Sequence, residues 1–562
     1  MVMKNIAPVR RGDIVDTNGK VIAGSRNIYN IYVDLSHIPK DGRSGFLLSL
    51  MEKYDINIDI QSYNNENYYT ISEQCTWEEL RKYICISNVV PEMCIIQNTI
   101  RHYKYGCEFA HIIGYTSRDS EDQRCTMLPN ARVGVSGLEK VYDHHLFGMS
   151  GLKTIEVNSL RQFVRDIDVI DAVDGKQLEI TIDYNVQVEA YKLLSRYRSA
   201  ACVVLDVETG AVLCYISYPS YDTNIYMKAK NGNEIANLYK REFNPVYDKV
   251  SKGLYSPGST FKMVVALAAL KYGLIDFSSI FNCSGCVVVG DTQFNCWNSA
   301  GHKDMNLSQA ISQSCNSYFY NLGQILSVDQ IHNVALDFCL GDSTGIDLIG
   351  EKRGLICYYD NSDRSSKKFT KGDVVNMAIG QGYILCTPLQ LACMTATIAN
   401  GKYRIRPYIN KSLKESMMTQ RKRLNYRSEH IDYIQNAMMG VVNGPYGTAR
   451  NIKLDHDFII SGKTGTAQVR KRIKNTNEIV PYEFRDHALF VGFAPLENPK
   501  YAICVVVEHG ESGGRVAAPL ARDILLLCKK YIGSSGDDEK KSKPTNELDN
   551  CSQQEENEVG NN

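Results

Sequence analysis

Residues Tyr255–Gly273 read YSPGSTFKMVVALAALKYG: a Pro257-Gly258 turn, Ser259 and Lys262 three positions apart, then the unbroken apolar run Met263–Leu267. Pro-Gly punctuates the chain, and the run beyond it predicts a strongly apolar helix. An isolated S-x-x-K is ordinarily an N-cap serine followed by a lysine whose stem lies along the surface. Here the lysine leads straight into apolar sequence, which raises the alternative that it is buried and chemically active.

Two elements downstream favour that alternative. Ser314-Cys315-Asn316 falls in the helical stretch LSQAISQSCNSYFYNLGQIL, and Lys463-Thr464-Gly465-Thr466 in the strand-like DFIISGKTGTAQV. The set suits acyl transfer. A serine hydroxyl needs a base within hydrogen-bond reach, and positions i and i+3 at a helix start share a face. A buried Lys262 with Lys463 nearby has a lowered pKa and accepts a proton near neutrality. The helix N-terminus favours a developing oxyanion. On an edge strand, Gly465 permits close backbone approach, while Lys463, Thr464 and Thr466 offer a cation and two hydroxyls to a carboxylate. Ser314 can relay a proton between Lys262 and an amine, and Asn316 can hold an amide. S-x-x-K, a Ser-x-Asn element and K-T-G in this chain order are a known signature of serine β-lactamases and penicillin-binding proteins.

The rest of the composition sets bounds. The 562 residues allow several domains, and 63 basic against 63 acidic residues give no reason to expect nucleic acid as a partner. The eighteen cysteines lack the short-range framework of small secreted domains, and Cys202, Cys214, Cys393 and Cys504 read as small buried residues, which by itself leans towards a reducing compartment. No run of eighteen apolar residues occurs, so no membrane-spanning helix is expected within the sequence.

Residues 10–170 mix short strand and helix patterns; CTWEELRKYICI predicts an amphipathic helix with Trp77, Leu80, Tyr83 and Ile84 on one face. GLKTIEV through EITID reads as hairpin strands with a turn at Asp174-Gly175. A second unit runs over 177–532: a hairpin around Glu208-Thr209-Gly210, then helices, then the strands SGKTGTAQV, HALFVGFAP and YAICVVVEHG, and the helix APLARDILLLCKKYI. Strands, helices, strands predicts an α+β unit whose antiparallel sheet is assembled from both ends of the segment. Residues 533–562 are compositionally disordered.

The chain resembles the class B penicillin-binding proteins, the monofunctional peptidoglycan transpeptidases, and within them the penicillin-binding protein 2 branch of the elongation system. The resemblance covers about Arg10 to Ile532: RRGDIVDTNGKVIA, RHYKYGCEFAHIIGY and GVSGLEKVYDHHLFGMSG, then TIDYNVQ, AIGQGYILCTPLQLA, GTARN, SGKTGTAQV and HALFVGFAP, in family order. It implies an elongated N-terminal pedestal or dimerisation domain followed by a β-lactamase-like transpeptidase domain. It implies Ser259 as acylated nucleophile, Lys262 as its base, and Ser314, Asn316, Lys463, Thr464, Gly465 and Thr466 as the rest of the site, with the N–H groups of Ser259 and Thr466 as oxyanion hole. The implied substrates are stem peptides ending in D-Ala-D-Ala, with β-lactams as mimics. The implied partner is a polytopic membrane glycosyltransferase, and the implied place is the bacterial inner membrane with the catalytic domain in the periplasm. Three features depart from the pattern. The membrane anchor implied before residues 1–9 is not in the sequence, and no glycosyltransferase domain precedes the pedestal, which argues against a bifunctional enzyme. Asp248-Lys249 stand where the family usually has Asn-Arg.

Cys283, Cys296, His302 and Cys315 follow the spacing C-x12-C-x5-H-x12-C, compatible with a tetrahedral structural zinc site, or with packing cysteines and one solvated histidine. The resemblance implies one zinc per chain on these four, with Cys286 a rival for the first position. A metal on Cys315 would hold the backbone that presents Ser314 and Asn316. Competing expectations are a D,D-carboxypeptidase or serine β-lactamase, in which water resolves the acyl-enzyme, and a β-lactam-sensing scaffold for a glycosyltransferase. The long N-terminal region disfavours a β-lactamase, and the intact serine, lysines and asparagine disfavour a pure scaffold.

Overall fold

Five strands from the two ends of the C-terminal unit meet in one sheet: β1 (Ala200–Asp206), β2 (Val212–Tyr218), β3 (Ser461–Ala467), β4 (His487–Ala494) and β5 (Tyr501–Val507). In this computed structural model, which describes residues 2–533 except 8, 61–62, 65, 119–131, 150, 159–162, 229–231, 357–368, 455–457 and 470–479, the order is β2-β1-β5-β4-β3 and every pairing is antiparallel. The expected assembly from both ends holds, and the Lys463–Thr466 segment lies on the edge strand β3. The polar tail expected over 533–562 lies, beyond Gly533, outside the described residues.

Helices between β2 and β3 carry the other elements. The apolar run forms α1 (Lys262–Lys271), in which every residue from Lys262 to Leu270 is buried. A short 3-10 turn, Gly258–Phe261, leads into it and carries Ser259. The stretch expected to be one helix around Ser314 is two: α2 (Leu307–Ser312) and α3 (Asn316–Ile325). Ser314 adopts φ +55° and Cys315 is the extended N-cap of α3, so the chain turns at a left-handed residue. Apolar periodicity did not reveal the break because Leu307, Ala310 and Ile311 before it and Phe319 and Leu322 after it are all buried. Helix α4 (Pro388–Asn400), opened by a Thr387–Gln390 capping box and closed by Gly401, packs on β1, β4 and β5. Helix Ala518–Tyr531 packs on β4 and β5 and helix Tyr184–Leu194 on β2, which explains why β1, β4 and β5 are apolar along nearly their whole length. Cys202, Cys214, Cys393 and Cys504 are fully buried here, and the fifteen cysteines among the described residues are free thiols.

The N-terminal half is built on a long strand, Val21–Asp34, paired with Met93–Tyr103 and Tyr68–Cys75. The expected amphipathic helix spans Trp77–Ser87 behind a Thr76–Glu79 capping box. Its buried residues are Leu80 and Ile86; Trp77, the first residue of the helix, stays exposed with its ring 5.9 Å from Tyr29. Gly151–Val157 and Phe163–Ile170 pair as strands, but their link lies between 157 and 163 rather than at the expected Asp174-Gly175 turn. Asp174-Gly175 follows the second strand, and there Gly175 N donates to Arg10 O. Val2–Ala7 adds a third strand, so residues expected as a remnant outside the pedestal pair into its sheet. Across 170–177 the core is continuous: Ile14, Leu146 and Leu178 share a cluster with the catalytic sheet.

Four charged side chains knit the family-like motifs of this half. Arg11 Nε and Arg101 Nε each lie 2.6 Å from a Glu139 carboxylate oxygen, and Arg11 Nη2 lies 2.8 Å from Asp143 Oδ1. All four are buried, two cations against two anions. Asp248 and Lys249 also find partners: Asp248 accepts from the Tyr215 hydroxyl at 2.6 Å and from the Ser251 hydroxyl, while Lys249 Nζ donates to Phe243 O at 2.9 Å. The departure from Asn-Arg therefore leaves no buried group orphaned at this corner.

Candidate active site

The serine-bearing turn is wedged between two backbones. Gly258 has φ +53°, its N–H donates to Gly380 O at 2.9 Å, and a Cβ there would sit 2.6 Å from Thr466 O. Only glycine fits such a position. Gly465 is equally tight, with Pro257 O 3.0 Å and Thr260 Cγ2 2.9 Å from where its Cβ would stand. The close approach expected at Gly465 is thus made by the serine-bearing turn itself, and it sets partly exposed Ser259 beside the edge strand.

Lys262 opens α1 and is fully buried. Its Nζ donates to Ser314 O at 2.9 Å, Asn316 Oδ1 at 2.8 Å and Ser314 Oγ at 3.3 Å. The structure therefore joins Lys262 to both expected residues of the Ser-x-Asn element; its hydrogen bonds go there rather than to Ser259. Burial pushes its pKa down from 10.5 to about 8, against the pull of the Cys315 and Cys296 sulfurs. Lys463 on β3 is also fully buried, donates to Thr464 O at 3.1 Å, and is held well below the usual lysine range by burial and by Lys262. Among the described residues no carboxylate forms an ion pair with either lysine. Burial without a described carboxylate partner lowers both amines and makes each easier to deprotonate than a free lysine.

Residues beyond the motifs complete the geometry. The Thr464 hydroxyl lies 2.8 Å from that of Thr448, and Gln381 Nε2 donates to Thr466 O at 3.3 Å. Both belong to stretches with a family-like look, GTARN and AIGQGYIL, but nothing in their spacing pointed to these contacts.

Cys283, Cys296, His302 and Cys315 converge next to this site, their ligand atoms all within 4.8 Å of one another. His302 Nδ1 is 3.5 Å from Cys283 Sγ and 3.6 Å from Cys296 Sγ. Cys286 lies on the neighbouring hairpin strand and is not among the four. Three sulfurs and one imidazole nitrogen at this separation, mostly buried, match the donor set of a closed zinc site. The Asn316 N–H points at Cys296 Sγ, 3.4 Å away, so the cluster touches the catalytic segment directly.

An antiparallel sheet with Lys-Thr-Gly-Thr on its edge, abutting a serine turn and a buried lysine, is the architecture of the penicillin-recognising serine acyl-transferases. Residues 200–526 match the penicillin binding protein transpeptidase domain and residues 6–180 the penicillin-binding protein dimerisation domain. The peptidoglycan D,D-transpeptidase MrdA of Acinetobacter baumannii is 31% identical over 93% of this chain and 81% of its own; that of Escherichia coli K12 is 28% identical over 92% and 86%. Among solved structures, a complex of penicillin-binding protein 2 with MreC from Helicobacter pylori superposes with a TM-score of 0.83 at 26% identity, covering 95% of this chain and 99% of that one. Pseudomonas aeruginosa penicillin-binding protein 2 in complex with WCK 5153 gives 0.71 at 29%, covering 94% and 96%. The chain belongs to the class B penicillin-binding proteins, most like penicillin-binding protein 2, and is a serine-type peptidoglycan D,D-transpeptidase.

Proposed function

We propose that Ser259 is the acylated residue and Lys262 its general base; the observation that carries this is a fully buried Lys262, unpaired with any described carboxylate, bonded to Ser314 and Asn316. Neutral Lys262 takes the Ser259 proton as Oγ attacks the carbonyl of the penultimate D-Ala. The N–H groups of Ser259 and Thr466 receive the oxyanion. As the C–N bond breaks, the proton passes from Lys262 through the Ser314 hydroxyl to the departing D-Ala amine. An acceptor amine on a second stem then attacks the ester, losing its proton by the reverse route and freeing Ser259. Lys463, Thr464 and Thr466 bind the terminal carboxylate, with Gly465 allowing the turn to close on β3, and Asn316 orients the peptide amide.

Zinc bound by Cys283, Cys296, His302 and Cys315 would supply a structural cross-link that fixes the Ser314–Asn316 backbone; no proton or bond change is assigned to it. Elemental analysis of freshly purified, reduced protein should find about one zinc per chain.

Cross-linking of this kind belongs to cell-wall elongation, so the substrate-bearing side is the periplasm. The Helicobacter relative was solved in complex with MreC, which supports a partnered assembly, and from the family resemblance we assign this chain a polytopic membrane glycosyltransferase as partner. No helix among the described residues is long and apolar enough to cross a membrane.

The test is intact-mass spectrometry after exposure to a fluorescent penicillin. One adduct per chain is expected, absent in Ser259→Ala and long-lived in the parent, since the sequence motifs supply no separate residue to activate water. An adduct persisting on Ser259→Ala sinks the assignment.

A further inference from the structure

Trp297 is 62% exposed, yet its indole nitrogen is engaged: Nε1 donates to Ser314 O at 3.1 Å and to Gln313 O at 3.2 Å. These two carbonyls end α2, where the helix has no further N–H to offer them. Ser314 O is also the atom to which Lys262 Nζ donates at 2.9 Å. One carbonyl oxygen thus joins the indole and the lysine, at a residue held at φ +55°. A serine in that region is held there only by its surroundings. The indole supplies part of that restraint from outside, and its ring lies against His302, centroids 5.1 Å apart.

We propose that Trp297 is a positioning residue of the acyl-transfer site: its indole N–H clamps the Gln313–Ser314 carbonyls and so aims the Ser314 hydroxyl and the Lys262 amine. The inference rests on the roles given above to Ser314 and Lys262. It assigns the exposed ring no contact with substrate. What matters is the N–H, not the hydrophobic surface. Because the ring faces solvent, altering its edge leaves no cavity in the core.

The chain has two tryptophans, Trp77 and Trp297, and Trp77 is exposed on a helix of the N-terminal half beside Tyr29, so a Trp77→Phe background isolates Trp297. In that full-length background Trp297 is replaced by benzothienylalanine, which exchanges N–H for sulfur at nearly constant shape, and separately by 5-fluorotryptophan, which keeps the N–H. Stopped-flow acylation by a fluorescent penicillin resolves the pre-covalent dissociation constant from the first-order acylation step. Benzothienylalanine should slow the first-order step roughly tenfold, the scale of one hydrogen bond, with the dissociation constant, Tm and zinc content unchanged. The fluoro-indole should react at the parent rate. An unchanged acylation step overturns the proposal; so does a loss confined to pre-covalent binding, or a slow step accompanied by lower Tm or zinc loss, which would make the residue structural. Labelling that persists on Ser259→Ala would instead overturn the acyl-transfer reading, a separate outcome.

Discussion

Among its buried cations the molecule treats two clusters oppositely. In the N-terminal half, Arg11 and Arg101 meet Glu139 and Asp143 at 2.6 to 2.8 Å. Burial works to lower the Arg11 pKa, but Glu139 and Asp143 outweigh it and the value is raised. In the catalytic half, Lys262 and Lys463 hydrogen-bond to hydroxyl, amide and carbonyl groups and, among the described residues, pair with no carboxylate, and burial lowers both. The same physical penalty therefore yields a permanently charged strut in one half and a proton acceptor in the other. What differs is the supply of carboxylates, and also the choice of residue: guanidinium cannot be neutralised in a protein, whereas an amine can.

The strongest way to break this contrast is Lys262→Met. Loss of the base should slow penicillin acylation by about three orders of magnitude or more, while Tm stays at or above the parent value because an unpaired buried amine is gone. A fall in Tm with acylation intact would reverse the roles assigned to the two halves.

Glu139→Gln is the opposite test. It leaves Arg11 and Arg101 buried against one remaining carboxylate and should destabilise the protein by about 3–5 kcal/mol. Acylation per folded molecule should be unchanged. A variant with parent-like thermal unfolding would mean that the arginines rehydrate and the network is not a strut.

Cys315→Ala should lower zinc content, Tm and acylation together, since it removes a ligand beside Ser314 and Asn316. Cys393→Ala, a fully buried thiol in α4, should lower stability by about 1 kcal/mol through lost packing, with zinc and acylation at parent levels. Parallel behaviour of the two variants would make the four-residue cluster ordinary core.

The pH dependence sharpens the comparison most gently. Lys262 serves as base when neutral, so the acylation rate should rise up to tenfold per pH unit and level off above about 8. Its effect on stability has the same direction. Between about 8 and 10.5 the unfolded chain holds the proton that the folded chain has lost, so the Lys262 contribution to stability rises with pH through that window. Acylation flat from pH 6 to 9 would remove Lys262 as the base.

By itself the sequence determined the parts whose signal is local. Pro257-Gly258 before an apolar run specified a turn and a buried helix, and short apolar stretches specified the strands of a sheet closed from both ends of the segment. The four-residue metal-like spacing and the serine, lysine and asparagine positions were readable for the same reason: each residue type has few uses at such spacing. Tertiary structure alone decided the rest. The left-handed turn at Ser314 is invisible where apolar spacing runs through it, because both flanking helices bury a face. The choice of Cys283 over Cys286 depends on which of two neighbouring strand pairs reaches His302. Thr448, Gln381 and Trp297 act through hydrogen bonds to Thr464, Thr466 and Ser314, residues with which they share no helical or strand period. Above all, the lowered pKa of Lys262 rests on burial of the amine with no described carboxylate partner around it. Sequence names the amine, but only packed neighbours from distant segments set its charge.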